Sequence, residues 1–177
     1  MNEAHRLPPS AVDHAIVTAT IEIAAAPEAV WSVIVDREQG RLWRSADFDT
    51  DWQAGSPIAI TAQIGSKRYR DKGTILQVDP ASLLVYEFFP RVSGLPDSPE
   101  SYSRVTLRLM PIASGTRLEV EHTVPPSPIR RGKSFEIGPE SGEKHVGFYW
   151  NSTLALLRDL AEGRDSLAIR MARLSQL

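Results

Sequence analysis

The sequence predicts an α+β domain, a bent antiparallel β-sheet wrapped around one long C-terminal helix. Three observations carry this. Between Ile58 and His122, stretches of alternating apolar and polar residues follow one another, joined by short Gly, Ser and Pro turns, the mark of hairpin-connected strands. Near the end, Val146, Trp150, Thr153, Leu157 and Leu160 recur at helical spacing and form one apolar stripe. A sheet with one apolar face needs a cover, and this helix is the only element large enough to supply it.

In chain order, residues 16–23 are rich in β-branched side chains, and Ile21 and Ile23 alternate with Thr20 and Glu22, which predicts a strand. Ala24-Ala25-Ala26-Pro27 ends it. Pro27 suits a first helical turn, with Glu28 beside the positive end of the dipole, and Val30, Trp31, Val33 and Ile34 follow at helical spacing. Asp36 to Gly40 breaks that run before a second short helix that carries Leu42 and Trp43. Ile58, Ile60, Ala62 and Ile64 then alternate with Ala59, Thr61 and Gln63, and Gly65-Ser66 turns the chain into a strand over 69–78, where Gly73 is expected to mark a bulge. Asp79-Pro80 leads to a strand over 83–89, followed by a Pro/Gly/Ser loop over 90–100. Ser103, Val105, Leu107 and Leu109 alternate with Arg104, Thr106 and Arg108. Ser114-Gly115 turns into Thr116, Leu118, Val120 and His122, which alternate with Arg117, Glu119 and Glu121. Residues 125–139 hold four prolines with Arg130, Arg131 and Lys133, a loop long enough to suggest a functional or mobile segment. The covering helix runs over about 142–162, Gly163 is its stop, and a short amphipathic turn is expected around Leu167, Arg170, Met171 and Leu174.

The reading is therefore a tail over 1–13, one domain over 14–162 and a tail over 163–177. Composition narrows the function. With 20 basic and 22 acidic side chains the net charge is −2, so no nucleic-acid partner is expected. The absence of cysteine removes disulfides, thiolate nucleophiles and cysteine-ligated metals. No apolar run approaches the roughly 18 residues that span a bilayer, and residues 1–13 lack the apolar stretch of a signal peptide. A soluble, cytoplasmic protein without membrane insertion is the expectation. Trp, Pro-Gly and charge spacing show no internal period.

Four groups of residues carry a resemblance: Ile21-Glu22-Ile23-Ala24-Ala25-Ala26-Pro27-Glu28-Ala29-Val30-Trp31, Gly73-Thr74-Ile75-Leu76-Gln77-Val78-Asp79-Pro80, Ser114-Gly115-Thr116-Arg117-Leu118 through His122, and Gly147-Phe148-Tyr149-Trp150 with Leu154 and Leu157. In order and spacing they resemble the START-like (SRPBCC) superfamily, in the branch related to the activator of Hsp90 ATPase and to polyketide cyclase-like proteins. The resemblance implies a helix-grip fold with a cavity between sheet and C-terminal helix. It also implies apolar ligands such as lipids, polyketides or hormones, with cyclase or dehydratase activity in some members. No single catalytic motif comes with it.

Alternation assigns candidate residues to faces. His122 shares the side of Leu118 and Val120, which makes it either a core histidine bonded to a neighbour or a polar anchor in an apolar pocket. Tyr69 and Asp71 are the inward candidates of their strand, since Arg68, Arg70 and Lys72 prefer water, unless the bulge at Gly73 reverses the register. Leu84, Tyr86 and Phe88 point inward and Glu87 outward. Trp150 lies on the helix stripe, Trp31 in the core, and Trp43 where the short helices close one end of the grip. His5, His14, His122 and His145 are far apart, so no metal site is expected, and no Gly-x-Ser-x-Gly elbow is present. The cluster of Arg130, Arg131 and Lys133 reads as a solvated charge run, with an anion-greeting role at a cavity mouth as the alternative.

The expectation is a non-catalytic binder of a small apolar or amphipathic molecule, lined by Trp43, Tyr69, Tyr86, Phe88, His122 and Trp150 and gated by 125–139, with no cofactor. A homodimer is left open. Two alternatives stand beside it. One is a cyclase, aromatase or dehydratase using His122 with Asp71 or Tyr69; the other is an interaction protein like an Hsp90 co-chaperone. An empty void of about 300 Å³ would cost up to about 7 kcal/mol. Such a hollow is therefore either kept for a guest or plugged by some of the thirteen Trp, Tyr and Phe side chains.

Overall fold

The computed structural model describes residues 14–176; the expected tail over 1–13 lies outside the described residues. The chain forms β1 (Ala15–Ile23), α1 (Pro27–Val35), α2 (Arg37–Arg44), β2 (Ala46–Asp49), β3 (Pro57–Ile64), β4 (Lys67–Asp79), β5 (Leu83–Phe89), β6 (Ser103–Ile112), β7 (Gly115–Val124), β8 (Arg130–Arg131), β9 (Glu136–Ile137), α3 (Ser141–Ala161) and α4 (Leu167–Leu174). Strands β2 to β7 pair in chain order, and β1 returns to pair with β7, giving one antiparallel sheet in the order β1-β7-β6-β5-β4-β3-β2. The predicted α+β class, with a long helix on one face of a hairpin-connected sheet, is what the chain adopts.

Period-two burial follows the alternation of residue types. In β7, Thr116, Leu118, Val120, His122 and Val124 are buried, while Arg117 and Glu121 are exposed. In β1, Val17, Ala19, Ile21 and Ile23 face inward and Thr18, Thr20 and Glu22 face water. The inner face packs on α3, which buries Trp150, Thr153, Leu154 and Leu157. Register aligns Val17, His122, Val105, Tyr86 and Ile75 as one row of inward residues across five strands. That row passes under α3 and sets the position of the candidate site.

The structure departs from the sequence reading at several places. The helix break is Asp36 alone, whose carboxylate accepts from the Gln39 backbone N–H at 2.7 Å and so begins α2 as its N-cap. Strand β2 is an addition. It is short, pairs along its four residues with β3, and is tied to α2 by Asp47, which accepts from Arg37 and Arg41. The register shift of β4 falls between Ile75 and Gln77, and pairing is regular through Gly73. Gly73 serves close approach: a Cβ there would lie about 2.0 Å from the Glu87 carbonyl oxygen. The 125–139 segment carries the small β8–β9 ladder, and Arg130 ties it to the carbonyls of Val92 and Ser93. Beyond Gly163, the expected turn is the full helix α4, capped by Ser166 and anchored by fully buried Ile169.

Candidate functional site

His122 is 5% exposed, and its ring is fixed by one hydrogen bond: Trp150 Nε1 donates to Nδ1 at 3.0 Å. A neutral imidazole that accepts at Nδ1 carries its proton at Nε2. That Nε2–H is buried and has no acceptor among the described residues. Burial drives the His122 pKa down to about 3, so the ring stays neutral at pH 7. A buried donor without a partner costs about 1–3 kcal/mol.

A belt of rings surrounds this donor. Phe88 meets His122 at 5.9 Å between centroids, Tyr86 meets Phe88 at 6.2 Å, and Phe48 meets Tyr86 at 5.8 Å. On the helix side Trp150 packs edge-on against His122 at 6.1 Å and against Tyr149 at 5.1 Å. Phe88 and Tyr149 are half-buried, whereas Tyr86, His122 and Trp150 are buried. Burial raises the Tyr86 phenol far above its ordinary range and the Tyr149 phenol to about 12, so both keep their protons.

At the other end of the belt lies Arg44, 3% exposed. Its guanidinium sits 4.4 Å from the Trp43 ring centroid, 4.3 Å from Phe48 and 5.4 Å from Trp52, and Nη2 donates to the Ile34 carbonyl. Burial lowers its pKa to about 10, with Tyr86 and Tyr149 the groups that oppose the shift; it remains a cation at neutral pH.

Of the six lining residues read from the sequence, Tyr86, Phe88, His122 and Trp150 come together in this belt. Trp43 is buried beside it, its Nε1 donating to the Val33 carbonyl and its ring under Arg44. Tyr69 and Asp71 are placed elsewhere. They share the inward face, as expected, but lie on the part of β4 paired to β3 beyond the end of β5, three strands over from His122. Asp71 accepts from the Arg91 backbone N–H at 3.0 Å and is held above the usual carboxylate range by burial, against the pull of Arg91. The grouping of His122 with Asp71 or Tyr69 is thus not assembled, because the hairpin β3–β4 runs past the sheet's centre.

Asp71 instead borders an open cleft of about 720 Å³ with Thr50, Ser56, Arg70, Lys72 and Arg91; a second of about 270 Å³ lies by Glu22, Arg158 and Glu162. Neither runs between sheet and α3, where aromatic side chains occupy the space. Sequence reasoning missed Arg44, Phe48, Trp52 and Tyr149. Tyr149 was recoverable, since Val146, Tyr149 and Thr153 share a helix face; Arg44 was not, because arginine is almost never buried. Among the described residues, no group of three His, Cys, Asp or Glu side chains could hold a metal ion, and no helix is long and apolar enough to cross a membrane.

A family model described as "Activator of Hsp90 ATPase homolog 1-like protein" matches residues 24–162, which takes in every strand of the sheet except β1, the belt and all of α3. The chain belongs to that family. Within the same fold it is similar to ChR145 from Cytophaga hutchinsonii, at 30% identity over 84% of this chain and 94% of that one, with a TM-score of 0.64. It is also similar to CalU16 from Micromonospora echinospora (20% identity, 92% and 91% covered, TM-score 0.57). A third is the Aha1 dimer from Colwellia psychrerythraea (14% identity, 86% and 99% covered, TM-score 0.61). The last two likenesses speak for the fold alone. The comparison with curated proteins found no match. Family membership accounts for the helix-grip architecture expected from the sequence, and it leaves the chemistry of the site to the residues themselves.

Proposed function

We propose that this member of the family binds a small, largely apolar molecule between the sheet and α3, without transforming it. The observation that carries this reading is the His122 Nε2–H, a buried donor held in a fixed tautomer by Trp150 and facing an aromatic belt, with no acceptor among the described residues. A guest carrying one acceptor atom would satisfy it, and the rings would supply apolar contact, the usual division of labour in a ligand pocket. Phe88 and Tyr149 are the half-buried members through which a guest would enter by side-chain rotation. The 125–139 segment is the proposed gate.

A catalytic role for His122 finds less support. Its Nδ1 is taken by an indole N–H and no carboxylate among the described residues orients it, so it lacks the partner that raises basicity in acid–base histidines. Native mass spectrometry of protein purified from its own host tests the proposal. Co-purification of a small molecule that His122→Phe abolishes is the expected result. Repeated absence of any bound species, with no small molecule altering the Trp150 indole resonance, overturns it.

A second reading concerns assembly. Phe148 on α3 is 74% exposed, and among the described residues β1 forms one edge of the sheet. Together with the dimeric Aha1 from Colwellia these features favour a homodimer. Analytical ultracentrifugation decides it: a dimer mass that Phe148→Ser converts to monomer supports self-association, and a monomer at high concentration excludes it.

A further inference from the structure

Arg44 is a buried cation with no carboxylate partner among the described residues. Among the described residues its one hydrogen bond is the Nη2 donation to the Ile34 carbonyl, and the other groups that bear on its charge are the protonated phenols of Tyr86 and Tyr149. An unpaired buried charge is among the costliest features a fold can keep, and burial without a carboxylate is the rare case. The surroundings are built for it. Gly40, one turn before Arg44 in α2, is a poor helix residue, and a Cβ there would fall within about 2.4 Å of Nη1. Ser45, immediately after Arg44, and Trp52, over the guanidinium, both hold left-handed backbone at φ +55 and +58. A bulky residue such as Trp52 rarely adopts that conformation, and stored strain of this kind gathers at ligand clamps.

Resting on the ligand site proposed above, we infer that its guest is an amphipathic acid whose anionic oxygen atoms seat on the Arg44 guanidinium. The apolar body then lies along Phe48, Tyr86 and Phe88 toward His122. The chemistry follows from the donor count. Arg44 lies near the phenols of Tyr86 and Tyr149, the His122 Nε2–H stands at the far end of the same belt, and none of these four donors has a carboxylate partner among the described residues. A planar guanidinium pairs with a carboxylate by two parallel hydrogen bonds, and at 3% exposure most of its solvation is already lost in the free protein, so the site is preorganised for an anion. The three rings around it exclude water without supplying charge.

The test uses three acid–amide pairs of matched shape: octanoate and octanamide, 4-phenylbutyrate and 4-phenylbutanamide, 2-naphthylacetate and 2-naphthylacetamide. Affinities for wild type and Arg44→Gln are measured by calorimetry at pH 7.5. At least one acid is expected to bind wild type tenfold or more tightly than its amide. Arg44→Gln is expected to lose at least tenfold on that acid while the amide changes less than twofold. Acids and amides that bind wild type equally, or an acid preference that survives Arg44→Gln, overturn the anion seat and leave the ligand site standing. Binding of none of the six overturns both. If Arg44→Gln does not fold, the Arg44 Nε–H resonance of wild type, identified by its loss in Arg44→Lys, replaces it. A shift that saturates with the acid and is absent with the amide supports the seat, and a resonance unmoved by the acid overturns it.

Discussion

His122 ties the sheet to the covering helix through a single side-chain bond, so its protonation state bears on stability as well as on binding. Its folded pKa of about 3 lies below the value of about 6.5 for an unfolded histidine. Between those two values the unfolded chain binds more protons than the folded one, so stability falls as pH drops through that window. The slope from this residue approaches about 1.4 kcal/mol per pH unit, and above about pH 6.5 it vanishes. Urea unfolding at pH 7, 6, 5 and 4 is therefore expected to show a steeper loss in wild type than in His122→Gln, whose carbonyl can still accept from Trp150. Parallel profiles would mean that His122 does not stay neutral in the fold. Replacing Trp150 by Phe instead frees Nδ1 and leaves both ring nitrogens unpaired, an expected loss of about 1–3 kcal/mol beyond the change in packing.

Among the elements, the hairpin from β6 to β7 and the helix α3 carry the heaviest constraints. Gly115 opens β7 at φ +142, and a Cβ there would stand about 2.1 Å from the Ile23 carbonyl oxygen. Gly115→Ala is expected to lose at least about 2 kcal/mol from strain and overlap together, read as a lower urea midpoint with an unchanged slope. On α3, Leu157 is fully buried against the sheet, and Leu157→Ala is expected to cost about 2–5 kcal/mol, with the higher figure if no neighbour moves into the space. The clamp of β2 on α2 is of a different order. Arg37 and Arg41 both pair with Asp47, and the hydrogen bond from Arg37, with Arg41 behind it, holds that carboxyl well below the usual range. These side chains are partly open to water, so Asp47→Asn should cost no more than about 1 kcal/mol in thermal unfolding.

At the scale of the whole molecule, a ligand that binds only the folded state stabilises it by mass action, about 2.7 kcal/mol at a concentration 100 times its dissociation constant. An acid that seats between sheet and α3 is expected to raise the melting temperature in proportion to the logarithm of its concentration, and to do so in wild type but not in Arg44→Gln. Hydrogen exchange should show where the molecule yields. The β8–β9 ladder is exposed along its length and linked to the body by the bonds from Arg130 to the Val92 and Ser93 carbonyls, so its amides should exchange far faster than those of β7. Protection of that segment on adding ligand would support its role as the gate.

Period alone settled most of the architecture. Alternation in β1, β3, β6 and β7 and the stripe on α3 are written in residue type, because a half-buried strand or helix must sort its side chains by polarity whatever it packs against. Inward placement of Tyr86, Phe88, His122 and Trp150 follows from the same rule. Register along β4, the binding of β2 to Arg37 and Arg41, and the docking of α4 through Ile169 depended on partners distant in sequence. So did the belt itself: that Trp150 meets Nδ1 and not Nε2, that Asp71 turns to Arg91, and that Arg44 is swallowed by Trp43, Phe48 and Trp52 are choices made by packing. A local pattern records which face a residue prefers. Which donor is left unpaired, and which charge is taken out of water, is decided only when separate elements close on the same space.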